Sequence, residues 1–494
     1  MVNRNGTSEE LSKSVKGSLL LFSIDDCLCS DPAAGNRNGT STNNVGTNGN
    51  YWSGSPNESN TQNAYNLNFN DDNRNVNWNN RNNGQSVRPV SELTSKSEDI
   101  VRHFSITKEQ LLYDLYRAYK DARRNKRWKQ YQLEFELNLE EELVRLRDEI
   151  MENRYIPRPS TCFVIHDPKM REIFAADFRD RIVHHLFYNY THVLFERCFI
   201  HDSYSCIKNR GTHWGINRLK HHILSVSKGY TQPCSVLKID IRGYFMGINR
   251  NKLFQLCLDI LEKMRKHHSD IAGKTWEEVL DYNWVKYLLE IIIVSDPIKN
   301  CKILGNVKDW KNLPDEKSLF CAESNCGLPI GNLSSQLFSN IYLNILDQYV
   351  KRVLKCRHYG RYVDDAYVVS SDKRRLIAII PKISRFLELE LGLKINREKT
   401  KIVDVNHGVE FLGAYIKPFR TYISSSSKQR IETKLKYIHT LESNRMCSSI
   451  NSYLGIFSHY KSYCLRRVLF GNNYWLNLYG HFTKDWLTYR LYNC

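Results

Sequence analysis

Two apolar runs that end in carboxylates constrain this chain most. Ser235-Val-Leu-Lys-Ile-Asp240 reads as a buried strand closed by Asp240, and Arg361-Tyr-Val-Asp-Asp365 leads directly into a second apolar run, Ala366-Tyr-Val-Val369. Aspartates that terminate buried strands in a basic protein suggest a site for hard divalent cations. Two Mg²⁺ about 4 Å apart need several carboxylate oxygens, while one ion activates a hydroxyl and the other neutralises a leaving pyrophosphate. Asp240, Asp364 and Asp365 supply that cluster if the two strands are neighbours. Adjacent residues on a strand point to opposite faces, so the Asp364-Asp365 pair has to sit at a hairpin tip for both to contribute. On its own, an Asp-Asp pair is usually a solvated turn.

The charge balance narrows the partner. Lys and Arg number 71 against 53 Asp and Glu, a formal charge of +18. On a large chain that surplus argues for a polyanion, nucleic acid before membrane surface, with a basic but inert surface as the bland alternative. At 41% hydrophobic, the 494 residues can bury one large core or two to three domains, which excludes a fibrous or wholly disordered chain. The 14 cysteines show no regular spacing and no C-x-x-C, so neither a disulfide framework nor a zinc knuckle is written here and a reducing cytoplasm fits best. Cys301, Cys321 and Cys326 flank a long insert, where structural thiols are the preferred reading over a metal site. The apolar run Ser18-Leu-Leu-Leu-Phe-Ser23 is too short for a membrane span, so no export, anchor or membrane partner is expected.

Composition also divides the chain. Of the 60 residues from 31 to 90, 19 are Asn, mixed with Gly, Ser and Thr, and residues 1–98 are expected to be mostly disordered. Thr107-Lys-Glu-Gln110 has capping-box spacing and opens a helical pattern, and a second helix is expected from Leu139 to Ile150, closed by Pro157. From 158 to 425 short β-branched runs alternate with helical ones, which suggests an α+β body with helices packed on one face of a sheet. Residues 426–494 carry ten Lys or Arg, three acids and thirteen aromatics, among them Tyr437, Tyr453, Tyr460, Tyr463, Trp475, Trp486 and Tyr489. Interleaved cations and rings suit a surface that tracks phosphates and stacks on bases; a helical domain with an aromatic core is the alternative, and both can hold.

The order of the motifs is more specific than any one of them. Lys238-Ile-Asp-Ile-Arg-Gly-Tyr-Phe245, Gly327-Leu-Pro-Ile-Gly-Asn-Leu-Ser-Ser-Gln336, Arg361-Tyr-Val-Asp-Asp365, Leu393-Lys-Ile-Asn-Arg-Glu-Lys-Thr400 and Val409-Glu-Phe-Leu-Gly413 resemble the successive palm motifs of reverse transcriptases. The resemblance implies a right-hand polymerase of class α+β: helices and fingers over 99–235, palm over 236–420, a helical thumb over 421–494, and the disordered Asn-rich extension before them. It makes Asp240, Asp364 and Asp365 the catalytic carboxylates and places them with Ile241 at the metal site, with two Mg²⁺ (Mn²⁺ as the alternative) as cofactors. Phe245 matches the ring that excludes a ribose 2′-hydroxyl, and Lys169 and Arg171 match the cations that hold the incoming triphosphate. Arg179 and Arg181 read equally as structural ion pairs with Asp177 and Asp180. Lys399 matches a lysine that protonates pyrophosphate. Template RNA, the RNA–cDNA duplex and dNTPs are the implied partners.

Ile330 and Gln336, which the resemblance places with Gly331 among the dNTP-binding residues, depart from the commoner pattern, in which Gln precedes the Gly and Pro follows the Ser. They resemble the reverse transcriptases of diversity-generating retroelements, which copy a template RNA with errors at adenines for a target gene. Replacing an amide donor by a branched aliphatic beside the nascent pair weakens discrimination between nucleotides. Gly49-Asn-Tyr-Trp-Ser-Gly-Ser-Pro56 through Gly84-Gln-Ser-Val-Arg-Pro-Val90 looks like the variable segment of the lectin-fold proteins that such elements diversify, so residues 35–90 read as translated template repeat; a solvated linker or a lectin-like fragment are the alternatives. This resemblance adds a small basic accessory oligomer to the partners. The rival readings are a group II intron, retron or phage-defence reverse transcriptase, and a catalytically idle RNA-binding relative. The insert between Cys257 and Cys326 is longer than a palm needs.

Overall fold

The computed structural model describes residues 106–492 except 125–128, 168, 270–272 and 300, together with six strands between residues 36 and 85. Met1–Val101 and Arg102–Cys494 form separate compact units. In the first, β1 (Asn36–Asn38), β2 (Ser41–Asn43), β3 (Gly49–Pro56), β4 (Asn63–Phe69), β5 (Arg74–Asn80) and β6 (Gly84–Gln85) make two three-stranded sheets, ordered β2-β1-β6 and β3-β4-β5. Part of the segment expected to be disordered is therefore strand; the rest of 1–98 lies outside the described residues. The reason is an alternation hidden by the asparagines: Tyr65-Asn-Leu-Asn-Phe69 and Val76-Asn-Trp78 have period two, and the register sets Tyr65 opposite Trp78 and Leu67 opposite Val76.

The second unit opens with α1 (Lys108–Arg123), α2 (Gln130–Leu137) and α3 (Leu139–Met151). Thr107 caps α1 as its spacing predicts, its hydroxyl accepting the Gln110 N–H at 3.1 Å. The hairpin β7 (Ser160–Ile165) and β8 (Arg171–Ala175) leads to the buried helix α4 (Phe178–Glu196), and α5 (Thr212–Val226) precedes β9 (Ser235–Ile239). The insert contributes α6 (Arg250–Met264), α7 (Tyr282–Val294) and β10 (Cys301–Ile303), and α8 (Leu333–Gln348) follows it. Next come β11 (Tyr359–Tyr362), β12 (Asp365–Ser370), α9 (Lys373–Leu391) and β13 (Lys401–Asp404). The central sheet runs β11-β12-β9-β13, antiparallel throughout.

Both faces of that sheet are covered, where the sequence reading places helices on one. Leu237, Ile239, Ala366 and Val368 enter the larger core with α4, α6, α8 and α9, while Val236, Tyr367 and Val369 meet α5 through Ile216, Leu219 and Ile223. The apolar runs of β9 and β12, interrupted only by Lys238, are the reason: a strand with one wet face alternates throughout, and these do not. The second face is completed by the meander β14 (Val409–Phe411), β15 (Ala414–Lys417) and β16 (Arg420–Ile423). β10 pairs in parallel with β7, Cys301 opposite Ser160, so the insert extends the outlying β7–β8 sheet although it lies within the segment assigned to the palm.

The C-terminal portion holds α10 (Ser425–Leu435), α11 (Ser443–Ser458), α12 (Tyr463–Gly471) and the hairpin β17 (Gly480–Phe482) with β18 (Tyr489–Leu491). The boundary expected at 421 falls inside β16. Ile431, Leu435, Ile450, Leu454, Phe457, Phe470 and Tyr489 form a separate core there. The aromatics divide between the two roles left open by the sequence: Tyr453, Tyr460, Trp475 and Trp486 pack against that core, while Tyr437, Tyr463, Tyr474 and Tyr492 are exposed. Among the described residues no helix is long and apolar enough to cross a membrane.

Candidate active site

The register of β9 and β12 pairs Ile239 with Ala366, so one step further out Asp240 and Asp365 stand opposite each other at the end of the sheet. Tyr362 pairs with Asp365 across β11 and β12, which leaves Val363 and Asp364 as the two-residue turn. The hairpin tip required for both aspartates to contribute is therefore present. Val363 lies at φ 54°, a left-handed conformation that a β-branched residue adopts only under constraint. The constraint is visible at both ends of the residue: its N–H donates to Ser205 Oγ at 3.2 Å, and its carbonyl accepts from Arg361 Nη1 at 2.9 Å.

Arg361 is fully buried and binds Asp347 through Nε at 2.8 Å and Nη2 at 2.7 Å, while Tyr359 donates its hydroxyl to the same carboxylate at 2.6 Å. Asn340 closes the network, donating to the Ser205 carbonyl at 2.8 Å. Sequence reasoning missed Ser205, Asn340 and Asp347. The available signal was Arg361 itself, a charge placed in a run that is otherwise buried and therefore in need of a partner.

Charge brings the remaining polar candidates to the same place. Burial, then the neighbouring Asp365 charge, pushes the Asp364 carboxyl up to about 6, Asp240 adds to the rise and Arg171 opposes it. Burial also raises Asp365, against the pull of Lys238, Lys169 and Lys399. Lys399 Nζ lies 3.5 Å from Asp240 Oδ2. Lys169 sits in the β7–β8 turn and Arg171 is the first residue of β8, so both cations are carried by the hairpin. Ile241 faces Ile395 in an isolated bridge flanked by the bonds Asn396 N–H to Asp240 carbonyl (2.7 Å) and Arg242 N–H to Lys394 carbonyl (2.9 Å). That pattern points the carbonyl of Ile241 away from Ile395. Among the described residues no group of three or more His, Cys, Asp or Glu is arranged as a metal cage.

The apolar candidates meet one layer away. Phe245 and Ile330 both pack against Cys162, Phe174, Met246 and Leu319. The Phe245 carbonyl accepts the Leu328 N–H and the Ile330 carbonyl accepts the Phe174 N–H, each at 2.9 Å, so the 327–332 loop is stitched to β8. Gly331 has φ 135°, and a Cβ there would come within 3.0 Å of the Phe174 carbonyl oxygen, which accounts for the glycine. Gln336 stands exposed in the first turn of α8. Arg179 and Arg181 take the structural role: Arg179 is buried against Glu149 and Asp180, and Arg181 donates to the Ala176 carbonyl at 2.8 Å.

The insert reaches this layer too. Glu172, 1% exposed and next to Arg171, accepts from Trp310 Nε1 at 2.7 Å, from Ser318 Oγ at 2.9 Å and from the Leu319 N–H. Glu316 pairs with Arg242, two residues after Asp240.

The chain is similar to known proteins over the segment that holds this site. The family model described as reverse transcriptase (RNA-dependent DNA polymerase) matches residues 165–416, just over half of the chain. Protein YkfC of Escherichia coli (strain K12) is 28% identical over 306 residues, covering 55% of this chain and 70% of that protein. Among solved structures, apo telomerase from Candida tropicalis is 14% identical with a TM-score of 0.39, covering 62% of this chain and 53% of that one. Telomerase from Candida albicans with a fragment of telomeric RNA is 12% identical with a TM-score of 0.36, covering 65% of this chain and 60% of that one. This chain thus spans a little over half the length of those telomerase chains. On the family match, which contains Asp240, Asp364 and Asp365 in the order and motifs described, the chain belongs to the reverse transcriptase (RNA-dependent DNA polymerase) family.

Proposed function

We propose that this chain is an RNA-directed DNA polymerase that copies a template RNA into adenine-mutagenised cDNA for the diversification of a target gene. The observation that carries the polymerase reading is the meeting of Asp240, Asp364 and Asp365 at one end of the central sheet, faced by Lys169, Arg171 and Lys399. Asp364 and Asp365, raised by burial and by neighbouring carboxylates, form with Asp240 a donor set that gains from a hard dication, which fits Mg²⁺ or Mn²⁺ held by these aspartates and the Ile241 carbonyl. Such ions, when bound, lower the pKa of the primer 3′-hydroxyl and neutralise the departing pyrophosphate. The protein's own part is positional. Arg171 and Lys169 bind the triphosphate, Phe245 closes the pocket against a 2′-hydroxyl, and Lys399 delivers a proton to the pyrophosphate as the 3′-oxygen attacks the α-phosphorus in line.

The diversifying role rests on Ile330, half-buried against the same cluster as Phe245 and standing where an amide is the commoner residue, and on the asparagine-dense segment 35–90, whose codons are rich in adenine. A small basic accessory oligomer and a reducing cytoplasm belong to the same proposal. Primer extension on an RNA template tests the first part. Asp364→Asn is expected to lower the rate by several orders of magnitude, since one carboxylate of a charge-neutralising cluster is lost, and full activity in that variant excludes the assignment. Sequencing the products tests the second: errors concentrated opposite template adenines support diversification, whereas uniform errors favour a retron or phage-defence polymerase.

A further inference from the structure

At the end of the central sheet remote from the aspartates, a cavity of about 270 Å³ opens between the loop after α8 and the turn from β12 into α9. Asp365 and Ser370 bound β12, five residue steps that amount to about 17 Å of strand, so this cavity is separate from the polymerase site. Its walls include Lys355, Arg357, His358, Ser370, Ser371 and Arg375, and no carboxylate lines it. Segments 351–358 and 371–375 together carry seven Lys or Arg and one acid, Asp372. That acid is already engaged, accepting the Arg374 and Arg375 N–H groups as the cap of α9.

The rim is built. Arg375 Nη2 donates to the Lys355 carbonyl at 2.9 Å and to the Leu354 carbonyl at 3.3 Å, which leaves other guanidinium donors for a ligand. Lys351 Nζ donates to the Arg357 carbonyl at 2.7 Å, and the chain turns through Lys355 at φ 52°. Lys355, Arg357 and Arg375 are exposed around the cavity, and Lys351 is engaged with Asp202 at 3.4 Å. A phosphate can be held there: guanidinium groups match its oxygens bidentately, and the Ser370 and Ser371 hydroxyls add neutral donors.

The geometry points to a second phosphate-binding site on the palm, one that grips the backbone of a folded RNA outside the template–primer duplex. The size of the cavity suits a phosphate with its ribose rather than a peptide helix, and a family whose template is RNA supplies the polyanion. The catalytic assignment is independent of it, because the two sites lie at opposite ends of the sheet.

The test pairs a labelled RNA hairpin with no primer terminus, titrated at several salt concentrations, with extension of a short primer on a short RNA template. In the variant Lys355→Gln/Arg357→Gln, hairpin affinity is expected to fall about tenfold and the salt dependence to lose about one phosphate equivalent per cation removed, with the extension rate and melting temperature unchanged. Unaltered hairpin affinity and salt slope overturn the proposal, as does an equal loss of hairpin binding and extension. Displacement of the hairpin by millimolar inorganic phosphate reassigns the cavity to a free anion and overturns the RNA reading. Displacement by polyglutamate as effective as by RNA overturns it in favour of an acidic protein.

Discussion

Single residues here are explained by what they hold. Arg361 and Asp347 are both fully buried, and neither touches a candidate substrate; their pairing fixes the Val363 carbonyl and with it the turn that presents Asp364. Asp347→Asn leaves the Arg361 charge buried without its counter-ion, which costs about 3–5 kcal/mol, read as a lowered denaturation midpoint. An undiminished midpoint removes the argument. His222 gives a pH dependence. It is 3% exposed, and burial presses its imidazole down to about 4, opposed by Asp202 and reinforced by Arg218, His358 and Lys351. Its ring also meets the Tyr367 hydroxyl at 3.1 Å. Because the folded pKa lies below the ordinary 6.5, the unfolded chain takes up a proton that the folded chain refuses, so this contribution is present above pH 6.5 and is lost as pH falls toward 4. Melting temperatures of wild type and His222→Gln should therefore converge as pH drops from 7 to 4, and a constant gap contradicts this.

At the scale of elements, the insert between Cys257 and Cys326 changes meaning. Its strand β10 joins the β7–β8 sheet, and its 310–319 stretch is clasped by Glu172 from the strand that carries Arg171. It therefore forms the outer wall of the layer where Phe245 and Ile330 pack. Glu172→Ala strands three donors, those of Trp310, Ser318 and Leu319, at about 1–3 kcal/mol for each one that stays buried. Limited proteolysis should then cut within residues 305–325 first, while the palm resists. Cleavage beginning elsewhere, with that stretch still protected, shows that the clasp is dispensable.

Across the whole molecule, the cations behind the formal charge of +18 gather in more than one place. Lys169, Arg171 and Lys399 surround the aspartates, and the C-terminal portion combines exposed Tyr437, Tyr463 and Tyr474 with its surplus of cations. If that portion grips the template–primer duplex, the logarithm of affinity should fall linearly with the logarithm of salt concentration, by about one unit of slope per phosphate neutralised. Removing two cations of that portion, Lys436 and Arg467, should flatten that line, and a salt-insensitive duplex affinity refutes the role.

The strands that carry Asp240 and Asp365, the turn at Asp364, the cap at Thr107 and the family itself were legible in the sequence, because each is set by local pattern: an apolar run, a carboxylate at its end, a capping spacing, an order of motifs. The alternation within the asparagine-rich segment was equally local, but its polar composition masked it. What the sequence left undecided depends on residues far apart in the chain. Ser205 reaches Val363 across 158 positions and Trp310 reaches Glu172 across 138, and no window along the chain contains both partners. The second covered face of the sheet, the attachment of the insert to β7 and the cation-lined cavity behind β12 likewise arise only when distant segments pack. Local propensity and hydrophobic period select the elements, while the satisfaction of buried charges and backbone groups, a property of the assembled core, decides which of them meet.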